Sequence, residues 1–181
     1  MLTGKIVEEF KIGKDSFKIR YPKFEDYKGL QESINSLVEE WGYLNEQKKI
    51  SRKEVIESTT DLLKKIENKE SVALVVEVNG KVKGDADIDK KKHAQNHICD
   101  LGISLGKEIR GKGIGKRLME LLIREAKKNL KTEIIEIEVF AENKVALNLY
   151  KKFGFKKIGI IKKGFKKKGK YYDKILMVKY L

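Results

Sequence analysis

Asn79-Gly80 sits between two β-rich runs, Ser71 to Val78 and Lys81 to Ile88. Asn-Gly readily takes the positive φ values that both central positions of a type I′ turn require, and that turn matches the twist of paired strands. The two runs are therefore expected to form an antiparallel hairpin. Everything else in the chain has to be arranged around it.

Upstream, Ser16 to Arg20 alternates as a strand does, with Phe17 and Ile19 on one face. Pro22, the only proline, leads into a helical stretch, Glu25 to Glu40, where Leu30, Ile34, Leu37 and Trp41 recur at helical spacing. Ser51 to Asn68 reads as a second helix. Ser51 and Glu54 make a capping box at its start, and Val55, Leu62, Leu63 and Ile66 supply apolar contacts. Downstream of the hairpin comes a polar connection, Asp89 to Asn96, and then a strand, His97 to Leu105. Ile114 to Asn129 is amphipathic, with Ile114, Leu118, Leu121, Leu122 and Ala126 on one broad face. In Glu133 to Phe140, Ile135, Ile137 and Val139 alternate against Glu136 and Glu138. Asn143 to Phe153 is a short helix ended by Gly154, and Phe155 to Ile161 and Tyr172 to Tyr180 close the chain as strands. The order β-α-α-β-β-β-α-β-α-β-β predicts an α/β (mixed α+β) fold, a sheet with helices on its faces.

With 181 residues, no repeat and no low-complexity linker, the expectation is one domain over 1–181, its core at about 16–181, with 1–15 as an N-terminal extension. That extension lacks a signal-peptide core, and no apolar run approaches the roughly 20 residues that span a bilayer. A membrane partner is therefore not expected. A lone cysteine, Cys99, excludes an internal disulfide framework and suits a reducing cytoplasm. With two histidines besides, it builds no thiolate-rich zinc site, and no metal is expected. The net charge of +14 is concentrated toward the C-terminal end, in Lys156, Lys157, Lys162, Lys163, Lys166, Lys167, Lys168 and Lys170. Such a cluster suits phosphate, as in CoA or nucleic acid, and equally a solvated lysine-rich surface.

The segment that points to chemistry is Leu101 to Lys116: a strand, a glycine-rich turn and a helix start. Glycines let backbone amides approach a ligand closely, and a helix N-terminus adds unpaired N–H donors with partial positive charge. The combination suits a pyrophosphate, and Arg110, Lys112 and Lys116 add charge. Gly106 to Lys112 meets the first seven positions of a P-loop, but Gly113 stands where a Ser or Thr should hold magnesium. The dinucleotide pattern G-x-G-x-x-G fails as well, because Gly111-x-Gly113 is followed by Lys116 in place of the third glycine.

Arg110-Gly111-Lys112-Gly113-Ile114-Gly115 resembles the pyrophosphate loop of the GNAT acetyltransferases, Arg/Gln-x-x-Gly-x-Gly/Ala. Asn143 to Phe155, NKVALNLYKKFGF, is similar to that superfamily's Asn-x-x-Ala-x-x-x-Tyr-x-x-x-Gly-Phe signature. Both pieces stand in the expected order, and the element order from Phe17 to Tyr180 also fits. The resemblance implies a mostly antiparallel central sheet of about seven strands flanked by about four helices. It further implies acetyl-CoA as cosubstrate and transfer of its acetyl group to an amine.

By the same resemblance, Ile103, Ser104 and Leu105 would meet the pantetheine arm. Arg110, Gly111, Lys112, Gly113, Ile114, Gly115 and Lys116 would hold the pyrophosphate. Asn143 would bond the CoA arm or order the following helix. Tyr150 would approach the sulfur as a general acid, although Ala146, Tyr150 and Phe153 also form a helical stripe of the kind that packs a core. The general base stays open between Asp100 and His97, which point to opposite faces of one strand, with Glu77 and Asp85 as weaker candidates. The acceptor also stays open. Glu39, Glu40, Trp41, Tyr43 and Glu46 lie where it would be shaped, and Gly164-Phe165 to Tyr172-Asp173 resembles small-amine and ribosomal-protein acetyltransferases. A nucleic-acid or ribosome contact and a homodimer are left open too. The alternative function is a non-catalytic acyl-CoA sensor or RNA-binding protein of similar fold.

Overall fold

The computed structural model describes residues 2–40, 43 and 48–181. Among them a single sheet of eight strands forms: β1 (Ile6–Ile12), β2 (Asp15–Arg20), β3 (Ser71–Val78), β4 (Lys81–Lys90), β5 (Ile98–Leu105), β6 (Ile134–Phe140), β7 (Lys156–Lys167) and β8 (Lys170–Tyr180). Four helices accompany it: α1 (Tyr27–Glu39), α2 (Arg52–Glu67), α3 (Ile114–Leu130) and α4 (Lys144–Lys152). The spatial order is β1-β2-β3-β4-β5-β6-β8-β7. Every neighbouring pair is antiparallel except β5 with β6.

The central hairpin forms as expected, with Asn79 (φ 48°) and Gly80 (φ 82°) both in the left-handed region. The capping box at α2 is also present: Ser51 Oγ accepts from Glu54 N–H at 3.3 Å, and Glu54 Oε2 accepts from Ser51 N–H at 2.8 Å. β3 is nearly continuous in apolar residues because both its faces are covered. Val72, Leu74 and Val76 join the large core with the α3 face Ile114, Leu118, Leu121, Leu122 and Ala126. Val75 joins a second cluster with Tyr27, Leu30, Val55 and Val82 under α1 and α2. α1 starts two residues later than the periodicity places it, after a 3₁₀ turn at Phe24–Asp26. Asp26 belongs to that turn because it receives both terminal nitrogens of buried Arg20, at 2.7 and 2.8 Å. The charge-assisted bonds to Asp26 raise the Arg20 pKa further despite burial.

Three expectations change. Residues 1–15 are not an extension outside the core, since β1 pairs with β2 through a two-residue turn at Gly13-Lys14 and Phe10 stacks on Phe17 at 5.2 Å. The strand count is therefore eight. The closing strands run to Lys167 and begin at Lys170, so the lysine cluster is itself a hairpin. Within it Lys156, Lys157 and Lys168 are exposed, but Lys167 is 5% exposed and is not a solvated side chain. Trp41 and Glu46 lie outside the described residues.

Candidate active site

β5 and β6 pair over only three positions, Ile98 with Ile134, Cys99 with Ile135 and Asp100 with Glu136. Beyond Asp100 the two strands part. β5 continues beside β4 as far as Leu105, and β6 continues beside β8 as far as Phe140. A sheet that parts in this way exposes backbone donors and acceptors along the opened edge. The opening is a cleft of about 680 Å³, lined on one side by Leu101 to Leu105 and on the other by Ile137 to Phe140. Asn143, Ala146, Leu149 and Tyr150 of the α4 region close one end, and Leu37 and Glu40 reach in from α1.

The glycine-rich turn joins β5 to α3 beside this cleft. Gly113 is the N-cap of α3 with φ 78°, a conformation that costs any residue with a Cβ. At the start of α3 the Arg117 N–H donates to the Gly113 carbonyl at 3.2 Å, so the amides of Ile114, Gly115 and Lys116 face out of the helix end. A Cβ on Gly115 would lie 3.3 Å from Leu105 Cδ1 and 3.6 Å from Leu149 Cδ2, so glycine lets the helix start press against the cleft wall. Around Gly111 and Gly113 a Cβ would meet no atom within 4 Å, which leaves open space for an anion against the backbone. Lys112 and Lys116 flank it, exposed. Arg110 turns aside: its Nε donates to the Leu105 carbonyl at 2.9 Å and its Nη1 to Glu40 Oε2 at 3.0 Å.

Tyr150 is 4% exposed and lines the cleft, with its ring 5.9 Å from that of Phe155. Burial drives its hydroxyl pKa well above the usual tyrosine value. The core reading and the cleft reading of this residue are thus compatible: the ring packs, and the residue still borders the opening.

Ile103, Ser104, Leu105, Arg110, Asn143 and Tyr150 come together on the cleft, and Gly111 to Lys116 form its adjoining rim. Asp100 and His97 do not line it. Asp100 stands at the apex where the strands part, roughly 16 Å along β5 from Leu105 at about 3.3 Å per residue. Desolvation raises its pKa, and Lys91, 3.4 Å away, pulls it back. His97 precedes β5, and its carbonyl accepts from Thr132, Glu133 and Ile134. Of the weaker candidates, Glu77 is tied to Arg20 at 2.8 Å, while Asp85 does line the cleft and accepts from Ser104 Oγ at 2.6 Å.

The sequence does not single out Asp87 or Glu138, which border the cleft together with Phe165 of the Gly164-Phe165 to Tyr172-Asp173 segment. Glu138 is on β6, and Lys174 Nζ lies 2.9 Å from its Oε1. Its alternation with Ile137 and Val139 was the available signal. Phe165 stacks on Phe140 at 4.0 Å, with Tyr172 edge-on to Phe140 at 5.7 Å and Tyr43 at 5.5 Å. No periodicity in the sequence announces that aromatic wall, because its members come from separate elements.

Comparison with known proteins agrees with this geometry. An L-amino acid N-acetyltransferase of Escherichia coli is 32% identical over 107 residues, 59% of this chain and 66% of that protein. An uncharacterized N-acetyltransferase of Methanocaldococcus jannaschii is 35% identical over 96 residues, 49% of this chain and 40% of that protein. The matches thus span less than two thirds of either relative. The crystal structure of a ribosomal-protein-alanine N-acetyltransferase from Brucella melitensis superimposes with a TM-score of 0.80 at 25% identity, covering 90% of this chain and 99% of that one. The model of the acetyltransferase (GNAT) family matches residues 35–155, and the chain belongs to that family.

Proposed function

We propose that the protein is an N-acetyltransferase that moves an acetyl group from acetyl-CoA to a primary amine by direct attack in a ternary complex. The observation that carries this reading is the meeting, at one cleft, of the opened edge of β5, Arg110 at the head of the glycine loop that starts α3, and the buried Tyr150. No side chain at Gly111 or Gly113 obstructs the approach to the start of α3, which suits a diphosphate on its unpaired amides. Residues Ile103, Ser104 and Leu105 offer an edge for the amide-bearing arm, and Lys112 and Lys116 add charge at the loop. A cytoplasmic reaction is part of this proposal, in keeping with the lone cysteine, Cys99, and with a supply of acetyl-CoA.

In the reaction the amine nitrogen bonds to the thioester carbon, the carbon–sulfur bond breaks, and the amine loses a proton while the thiolate gains one. Negative charge that develops on the carbonyl oxygen is met by N–H groups of the opened β5 edge near Leu105. Tyr150, which like any tyrosine carries its proton at neutral pH, gives it to the leaving sulfur. The proton from the amine goes, directly or through water, to one of the carboxylates that border the cleft, Asp85, Asp87 or Glu138, whereas Asp100 and His97 do not border it.

Release of free thiol from acetyl-CoA across a panel of L-amino acids, peptides beginning with alanine, and polyamines tests this. Turnover with at least one class is expected, and Asp85→Asn, Asp87→Asn and Glu138→Gln, made one at a time, should show a loss of roughly 10²-fold or more at the carboxylate that takes the proton. Thermal stabilisation by acetyl-CoA without thiol release from any amine would point to the acyl-CoA sensor instead. Salt-sensitive RNA binding without thiol release would point to the RNA-binding protein.

A further inference from the structure

Glu40 caps the C-terminal end of α1, and its N–H is bonded to the Ser36 carbonyl at 3.0 Å. This is a poor place for an anion, because unpaired carbonyls give a helix C-terminus partial negative charge. The last turn of α1 contains no basic residue. The preceding Glu39 is paired with Lys49. Glu40 instead reaches across the cleft to Arg110, the first residue of the glycine loop, with Nη1 to Oε2 at 3.0 Å. Both residues border the cleft, and the pair is only partly shielded, with side chains 44% and 25% exposed. An ion pair in that setting is weak and exchangeable.

A diphosphate on the loop would change both members. Arg110 is adjacent to Gly111, so a dianion there competes directly with one carboxylate for the guanidinium, whose fork also suits phosphate. The same dianion repels Glu40, which is held near it. Once Arg110 turns to phosphate, Glu40 is left as an anion on the cleft wall at a helix end that disfavours it, and a cation is its natural replacement partner. On this basis, and resting on the acetyltransferase reading above, we propose that Glu40 is a specificity residue for a cationic acceptor, held by Arg110 until the acyl donor's diphosphate takes the guanidinium. Acyl donor and acceptor then bind in that order, and a neutral or anionic acceptor is disfavoured.

The test is a double-mutant cycle read by calorimetric titration with coenzyme A, which cannot turn over. Glu40→Gln is expected to tighten coenzyme A about threefold, the scale of one exposed ion pair. The same change made in an Arg110→Gln background is expected to have no effect. With the amine that releases thiol fastest, Glu40→Gln is expected to raise KM about fivefold or more while kcat stays within about twofold. Unchanged or weaker coenzyme A binding by a Glu40→Gln protein that melts like wild type overturns the proposal, and so does a tightening that persists without Arg110. An unaltered amine KM overturns the acceptor role. Failure of wild-type protein to bind coenzyme A at all would instead strike the acetyltransferase reading, so the two failures are distinguishable.

Discussion

Asn143 accepts, through Oδ1, the backbone N–H of Ala146 at 3.1 Å, and so fixes the first turn of the short helix that carries Tyr150. Of the two roles the motif offers, ordering the helix is the one this bond performs. Replacing an Asn cap with Ala typically costs about 1 kcal/mol. Asn143→Ala is therefore expected to lower Tm by about 2–4 °C. It should also reduce turnover, because Tyr150 is seven residues along the same helix. A paired thermal melt and rate measurement checks both. Reduced turnover at unchanged Tm would move Asn143 from capping to ligand contact.

Tyr150→Phe separates chemistry from packing. The ring and its contact with Phe155 remain, and only the hydroxyl is lost. Turnover is expected to fall by at least about tenfold, with Tm and coenzyme A affinity nearly unchanged. An equal rate in the variant removes the hydroxyl from the reaction.

The raised pKa of Tyr150 also makes a stability prediction. A group whose pKa is higher when folded contributes stability that is complete below its unfolded pKa, about 10, and is lost as pH rises toward the folded value. Tyr21 carries a shift of the same sign, from burial first and then from Glu125, whose Oε2 accepts its hydroxyl at 3.0 Å. Stability is thus expected to decline above about pH 10, and to decline less steeply in Tyr150→Phe. Denaturant midpoints from pH 8 to 11 measure this, and parallel slopes in the two proteins would contradict it.

Gly113→Val tests the loop. A Cβ there meets open space, so the folding penalty comes from the left-handed backbone and stays near 1–2 kcal/mol. The branched side chain occupies the space left for the anion, so coenzyme A affinity should fall by more than about tenfold, or about 1.4 kcal/mol. Wild-type affinity in this variant would remove the loop from the binding site.

The lysine hairpin gives the converse expectation. Converting Lys156, Lys157 and Lys168 to Gln should leave the coenzyme A dissociation constant within about threefold, since exposed lysines there are readily solvated. Lys167→Gln, by contrast, should lower Tm, because that side chain is buried. A larger affinity loss in the triple variant would bring this hairpin into contact with the nucleotide.

What the sequence made legible was local. The Asn79-Gly80 turn, the Ser51–Glu54 box and the switch from strand to helix across Gly106 to Gly113 are each determined within about ten residues, and each formed. Strand β1 was passed over because Glu8 and Glu9 interrupt its alternation, where a bulge shifts the register between Ile6 and Glu8. Asp100 immediately precedes cleft-lining Leu101 on β5 without bordering the cleft itself, and His97 stands just before that strand. Glu138 and Phe165 reach the cleft only through the pairing of β6 and β7 with β8, which no local pattern specifies.

The three-residue joint between β5 and β6 has a further consequence for how the molecule assembles. Ile98 and Ile134 meet across 36 positions of chain, with all of α3 between them, whereas β3–β4 and β7–β8 close through two-residue turns. Closing the longer loop costs more entropy and yields few bonds in return. Two hairpin-built halves are thus expected to form first and to be stitched together last, so the ligand cleft is the final feature to appear on folding and the first to be lost. Native-state hydrogen exchange should accordingly find the amides of Ile134 to Glu136 less protected than those of β3, and bound coenzyme A, by spanning the gap, should slow them.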